Sequence, residues 1–216
     1  MFLNLLFPNR CLECGTMISA EELVCEICFE KIHFTHDDFN DNNLLKERCK
    51  LLFPVENAFA LMQFDKESLS QKIIHNLKYG SREKIGKILA EWTSERISFE
   101  NGKPDLLVPV PLHPRKLRKR GYNQLHLFTE TISRDFEIPF DLHLVRRNFY
   151  KKAQAKKRRE ERIQTENIFS INKEVTNKHI LLIDDVFTTG NTMASMAWEI
   201  LKSENNTVSV LVMAMD

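Results

Sequence analysis

The chain is predicted to be an α/β protein, a parallel-dominated sheet flanked by helices with a small N-terminal four-Cys zinc module. Three observations predict this. Short apolar runs of strand length alternate with segments of helical period along most of the 216 residues. One run, Ile180–Ile183, carries no polar partner residues between its apolar positions, as expected of a parallel strand buried on both faces. Four of the five cysteines fall in two C-x-x-C pairs near the amino terminus.

Cys11-Leu-Glu-Cys14 and Cys25-Glu-Ile-Cys28 are separated by ten residues. Thiolates at that spacing suit a closed tetrahedral Zn²⁺ site, which folds a segment too short to hold its own core. Metal ligation rather than disulfide bonding points to a reducing, cytoplasmic setting. His33 and His36 are left outside the ligand set, and Cys49 reads as a partly buried small hydrophobe. Residues 35–50 are polar and aperiodic and read as a linker, which sets the organisation as 1–50 zinc module and linker, then 51–216 main domain.

Val55–Phe64 is strand-like. Lys66–Tyr79 has Leu69, Ile73, Ile74 and Leu77 on one helical face, with His75 and Lys78 as solvated or packing residues. Gly80 and Ser81 break that helix, and Ile85, Ile88, Leu89 and Trp92 form the stripe of the next one. Ser81 can cap it, with Lys84 standing where a capping box has Glu. Lys103–Pro111 is a strand ending in prolines, followed by the basic stretch Arg115, Lys116, Arg118, Lys119 and Arg120, read as a loop. A run of cations at the carboxyl end of a strand favours contact with a polyphosphate. Leu125, Phe128, Ile132 and Phe136 mark another helix, and Phe140–Arg147 another strand.

The net charge of +1 conceals segregation. Arg115–Arg120 and Arg146–Arg162 hold 14 of the 31 Lys and Arg and sum to +12, leaving −11 for the remainder. Such separation suits an anionic ligand or partner. The stretch 148–167 has no strong apolar period and reads as a charged loop or an active-site lid. No apolar run of about 18 residues exists, so no membrane span is expected. The first ten residues lack a basic region and a small-residue cleavage site, so no signal peptide is expected either.

The organising segment is I-L-L-I-D-D-V-F-T-T-G-N-T, Ile180–Thr192. Asp184 and Asp185 come at the carboxyl end of a buried strand, where open α/β sheets place ligands. Thr188, Thr189, Gly190, Asn191 and Thr192 form a turn that opens a helix with Met193, Met196, Ala197, Ile200 and Leu201 on its apolar face. Backbone N–H groups and hydroxyls at a helix start make an anion cradle. The acids repel a phosphate and must face sugar hydroxyls or a cation, so a ribose 5-phosphate fits the division.

This segment resembles the PRPP-binding motif of type I phosphoribosyltransferases (PRPP is phosphoribosyl pyrophosphate). Together with the Cys pairs, I-I-H-N-L-K-Y-G, and V-P-V-P-L-H-P-R-K-L-R-K-R-G-Y-N-Q, it resembles the ComF family of competence proteins. A weaker block fits at Gln154, Arg162, Asn167 and Phe169, whereas Lys151 and Ala153 depart from its usual Thr and Pro. The resemblance implies a type I phosphoribosyltransferase fold. It further implies that Asp184 and Asp185 hold the ribose hydroxyls and that Thr188–Thr192 wraps the 5-phosphate. Arg115, Lys116, Arg118, Lys119, Arg120 and Arg162 then serve the pyrophosphate, and Mg²⁺ accompanies PRPP. A hood within 50–100 would choose the acceptor. The implied reaction is transfer of phosphoribosyl to a nitrogen nucleophile with release of pyrophosphate. The alternative is a non-catalytic PRPP-binding or single-stranded DNA-binding factor working with DNA-uptake proteins.

Overall fold

The computed structural model describes residues 8–79, 83–100, 102–148 and 168–216. Its frame is a four-stranded, wholly parallel sheet. The strands are β1 (Ala58–Gln63), β2 (Leu106–Pro109), β5 (His179–Phe187) and β6 (Thr207–Met215), in the order β1-β6-β5-β2. The two nine-residue strands sit at the centre, and their apolar runs are almost wholly buried because helices cover both faces of a parallel sheet. Of the strand expected over Phe140–Arg147 only β3 (Val145–Arg147) forms as a strand, in a separate antiparallel pair with β4 (Phe169–Ile171). The expected loop or lid at 149–167 lies outside the described residues.

Two expectations need correction. Residues 35–50 contain a helix, α2 (Leu44–Lys50), which follows the single turn α1 (Glu26–Phe29). Asn43 caps α2 by accepting the Lys46 N–H at 2.9 Å, and the same amide donates to the Ala58 carbonyl oxygen at 2.7 Å. Leu45 and Cys49 are wholly buried in the core. Seven residues are too few to show a helical period, so polarity dominated the sequence reading.

The basic stretch also forms a helix instead of a loop. After α3 (Leu69–Tyr79) and α4 (Lys84–Ser94), the chain passes through β2 into α5 (Pro114–Arg120). Pro114 opens α5, the His113 imidazole accepts the Arg115 N–H at 3.1 Å, and Gly121 ends it at φ 85°. Helix α6 (His126–Phe136) buries Phe128 and Ile132, and α7 (Asn191–Leu201) buries Met193, Met196, Ala197 and Ile200. Ser81, the expected cap of α4, lies outside the described residues, and Glu83 at the N-cap position makes no side-chain cap bond. No helix among the described residues is long and apolar enough to cross a membrane.

Candidate functional site

Unequal strand lengths create the site. β2 stops at Pro109, opposite Ile183, and the Val110 N–H to the Ile183 carbonyl oxygen, 2.8 Å, is the bond just beyond that pair. β5 continues to Phe187 with only β6 beside it. Asp184 and Asp185 therefore lie where one neighbour has ended, a gap at the carboxyl edge of the sheet. Strand alternation puts Asp184 with Leu182 and Val186, and Asp185 with Ile183 and Phe187.

The two acids have different environments. Asp185 is buried and fully engaged. The Lys78 ammonium meets its Oδ1 at 2.8 Å, and the Gln124 amide donates to its Oδ2 at 2.5 Å. Asp184 keeps some solvent contact while protein surrounds it, the situation of a group on a cleft floor. Its Oδ1 accepts the Asp185 backbone N–H at 2.8 Å. Burial, then the neighbouring Asp185 charge, push its carboxyl up to about 7, against the pull of that N–H, Lys78 and Arg147. Both acids were expected to face ligand; Asp185 would first have to release Lys78 or Gln124, whereas Asp184 accepts a backbone N–H.

Lys78 is thus a site residue that spacing concealed. It lies in the last turn of α3 next to the buried Leu77, and nothing in a helix-face pattern separates it from a solvated lysine. Gln124 joins it by linking two groups: its amide nitrogen binds Asp185 and its carbonyl oxygen accepts from Arg120. Arg120 also lies over the Tyr79 ring, with the guanidinium carbon 5.4 Å from the centroid. The other predicted pyrophosphate cations, Arg115, Lys116, Arg118 and Lys119, stand exposed on α5. Arg162, Gln154 and Asn167 lie outside the described residues.

Beyond the acids, Thr188 and Thr189 are exposed and Gly190 adopts φ 73° as the N-cap of α7. No side chain caps this helix start, and Ala194 N–H to the Gly190 oxygen, 2.8 Å, is its first turn bond. The amides of Asn191, Thr192 and Met193 precede that bond and have no carbonyl partner within the helix. They carry the positive end of the helix dipole. A cavity of about 580 Å³ opens nearby, lined by Pro111, Leu112, Leu117, Asn123, Arg146 and Arg147 among others, but by neither acid.

At the amino terminus the Sγ atoms of Cys11, Cys14, Cys25 and Cys28 all lie within 4.8 Å of one another, with Cys14 and Cys25 at 3.6 Å. Zn–S bonds of about 2.3 Å in a tetrahedron require sulfurs roughly 3.8 Å apart, so the set fits a structural Zn²⁺. Burial raises the Cys11 thiol, but N–H groups of Cys14, Cys25 and Glu13 bring it down to about 6. Burial and the neighbouring thiols push Cys28 up to about 12, a crowding that a divalent cation relieves.

Residues 75–214 match the phosphoribosyl transferase domain family and residues 2–39 the double zinc ribbon domain family. Competence protein ComFC of Bacillus subtilis is 36% identical over 175 residues, covering 79% of this chain and 68% of the relative. The chain belongs to the ComF family, with a phosphoribosyltransferase-like domain. Competence protein F of Haemophilus influenzae is 35% identical over 97 residues, 42% of this chain and 41% of that protein. DNA utilization protein YhgH of Escherichia coli K12 is 30% identical over 149 residues, 64% of this chain and 63% of the relative. The chain thus spans somewhat under two thirds of the YhgH length. Among the described residues this ComF chain offers one four-thiol cluster to its zinc ribbon, enough for one ion.

Proposed function

We propose that this ComF-family protein binds PRPP and transfers its phosphoribosyl group to a nitrogen nucleophile, releasing pyrophosphate. The observation that carries the reading is the continuous run from Asp184 to Thr192. It joins a solvent-reaching carboxylate to an uncapped helix start through an exposed Thr-Thr pair. The helix-start amides and the hydroxyls of Thr188, Thr189 and Thr192 take the 5-phosphate, with Gly190 and Asn191 completing the turn. Asp184 accepts from a ribose hydroxyl, and Asp185 does so on exchanging a partner. Because Asp185 is already paired with Lys78, Mg²⁺ enters as the ion of the substrate, Mg-PRPP.

As the C1–pyrophosphate bond breaks, positive charge grows on the sugar ring and negative charge on the leaving group. Lys78 and Arg120, placed around the acid pair, supply fixed positive potential for that leaving group, supported by the exposed cations of α5 and by Arg162. The hood that selects the acceptor is assigned to 50–100, apart from β1, which is built into the sheet. The test is calorimetric titration with Mg-PRPP, followed by pyrophosphate release across a panel of bases. Wild type should bind, and the Asp184→Asn, Asp185→Asn double variant should not. Equal affinity in the two removes the reading.

A second reading is favoured by the four exposed cations on α5, which suit sequence-independent phosphate contact. In it the chain is a cytoplasmic PRPP-binding or single-stranded DNA-binding accessory to DNA-uptake proteins. PRPP binding without pyrophosphate release, together with salt-sensitive DNA affinity, would select it.

A further inference from the structure

We infer that Arg48, on the segment that follows the zinc ribbon, is a positioning residue for the phosphate-binding turn. It sets the plane of the Thr188–Thr189 peptide. This deepens the PRPP reading and rests on it for the ligand, though not for the geometry.

One guanidinium gathers three chain segments. Its Nη2 donates to the Thr188 carbonyl oxygen and, at 3.0 Å, to Asp216 Oδ1, while Nη1 donates to the Asp216 carbonyl oxygen. The guanidinium carbon stands 5.1 Å from the Phe187 ring centroid. The Asp216 N–H in turn donates to the Phe187 carbonyl oxygen at 3.2 Å. Arg48 is held in place because Leu45 and Cys49 of the same helix are wholly buried.

The consequence follows from peptide geometry. In a planar trans peptide the C=O and N–H bonds point in opposite directions. Anchoring the Thr188 oxygen on the Arg48 side therefore turns the Thr189 N–H the other way, away from Arg48, in a turn whose Thr188 and Thr189 are both exposed. With the plane flipped, a carbonyl oxygen would replace that donor and repel a phosphate. Leu52 secures the next residue. A Cβ added to Gly190 would lie 2.4 Å from Leu52 Cδ1 and 2.7 Å from Phe187 Cζ, so these side chains press against the turn from below. The Trp198 indole N–H donates to the Leu52 carbonyl oxygen at 2.9 Å, fixing that contact from α7. Nothing in the sequence marks Arg48, which is 140 residues from Thr188.

Arg48→Ala and Arg48→Lys test the assignment by two readouts. Calorimetry with Mg-PRPP and with ribose 5-phosphate should show Arg48→Ala weakened about tenfold or more for both, equal to ~1.4 kcal/mol or more. Arg48→Lys, keeping a charge and a donor but not the fork, should recover part of that loss. The amide NMR signal of Thr189, read without ligand, should shift in Arg48→Ala and return toward wild type in Arg48→Lys. A thermal melt confirms folding, and if the alanine variant does not fold, the lysine variant is compared directly with wild type. An unmoved Thr189 signal, or affinities within about twofold of wild type, overturns the assignment. If wild type binds neither sugar phosphate, the PRPP reading fails, and the Thr189 signal alone still decides whether Arg48 sets the peptide.

Discussion

Replacing Asp184 by asparagine should raise the thermal stability of this protein, and replacing the adjacent Asp185 should lower it. The folded Asp184 carboxyl titrates at about 7, against 3.8 for an unperturbed one. Above pH 7 the fold must hold an ionised group that it prefers protonated, at a cost of up to roughly 4 kcal/mol at ~1.4 kcal/mol per pKa unit. An amide keeps the acceptor for the Asp185 N–H and removes the charge. That cost already includes the attractions to Lys78 and Arg147, and the solvent that still reaches Asp184 screens part of it, so a net gain of about 1–3 kcal/mol is expected, or some 2–10 °C for a chain of this size. The sign of the pH dependence is fixed. The folded state binds more protons than the unfolded between about pH 4 and pH 7, so this group removes stability as pH rises through that window. The gain from Asp184→Asn should therefore be nearly absent at pH 4 and complete above pH 7. Asp185→Asn instead strips Lys78 of its partly buried counter-charge and should cost about 1–3 kcal/mol. Calorimetric melts of both variants from pH 4 to pH 8.5 measure all of this. A loss of stability in Asp184→Asn at pH 8, or a gain independent of pH, would refute the cleft-floor account of that residue.

Further outcomes follow from the same geometry. Gly190→Ala should cost about 1–3 kcal/mol, because φ 73° strains an L residue and the added Cβ meets Leu52 and Phe187, and it should weaken Mg-PRPP binding. Affinity for Mg-PRPP should rise as pH increases through about 7, since a sugar hydroxyl donates better to ionised Asp184 than to its acid form. A calorimetric pH series checks it. Metal analysis should return one zinc per chain, and chelation should raise hydrogen exchange first in residues 8–39, where four thiols substitute for a larger core. Lys78→Met should leave Asp185 buried without its cation, lowering the melting temperature in a calorimetric scan at neutral pH.

Local chemistry made much of this protein readable. The buried run before Asp184, the Thr-Thr-Gly turn and the stripe from Met193 to Ile200 are contiguous, so strand, turn and helix start could be recognised together. The paired C-x-x-C knuckles were legible for the same reason, each holding two ligands a few residues apart. Short helices escaped: α2 and α5 span seven residues each and begin with a cap or a proline rather than a period. The site partners escaped for another reason. Lys78, Gln124 and Arg48 carry no local mark, and each acquires its role from a residue at least 61 positions away.

The amino-acid sequence by itself determined the motif, the thiol cluster and the alternation that makes a parallel sheet, because these depend on neighbours along the chain. Only the tertiary structure decided which acid stays open to ligand and which is held by Lys78 and Gln124. It alone decided, too, that a helix beyond the zinc ribbon braces the turn. Those outcomes depend on where β2 ends beside β5 and on how α2 packs. Burial and hydrogen bonding between distant segments govern both, and no spacing along the chain encodes them.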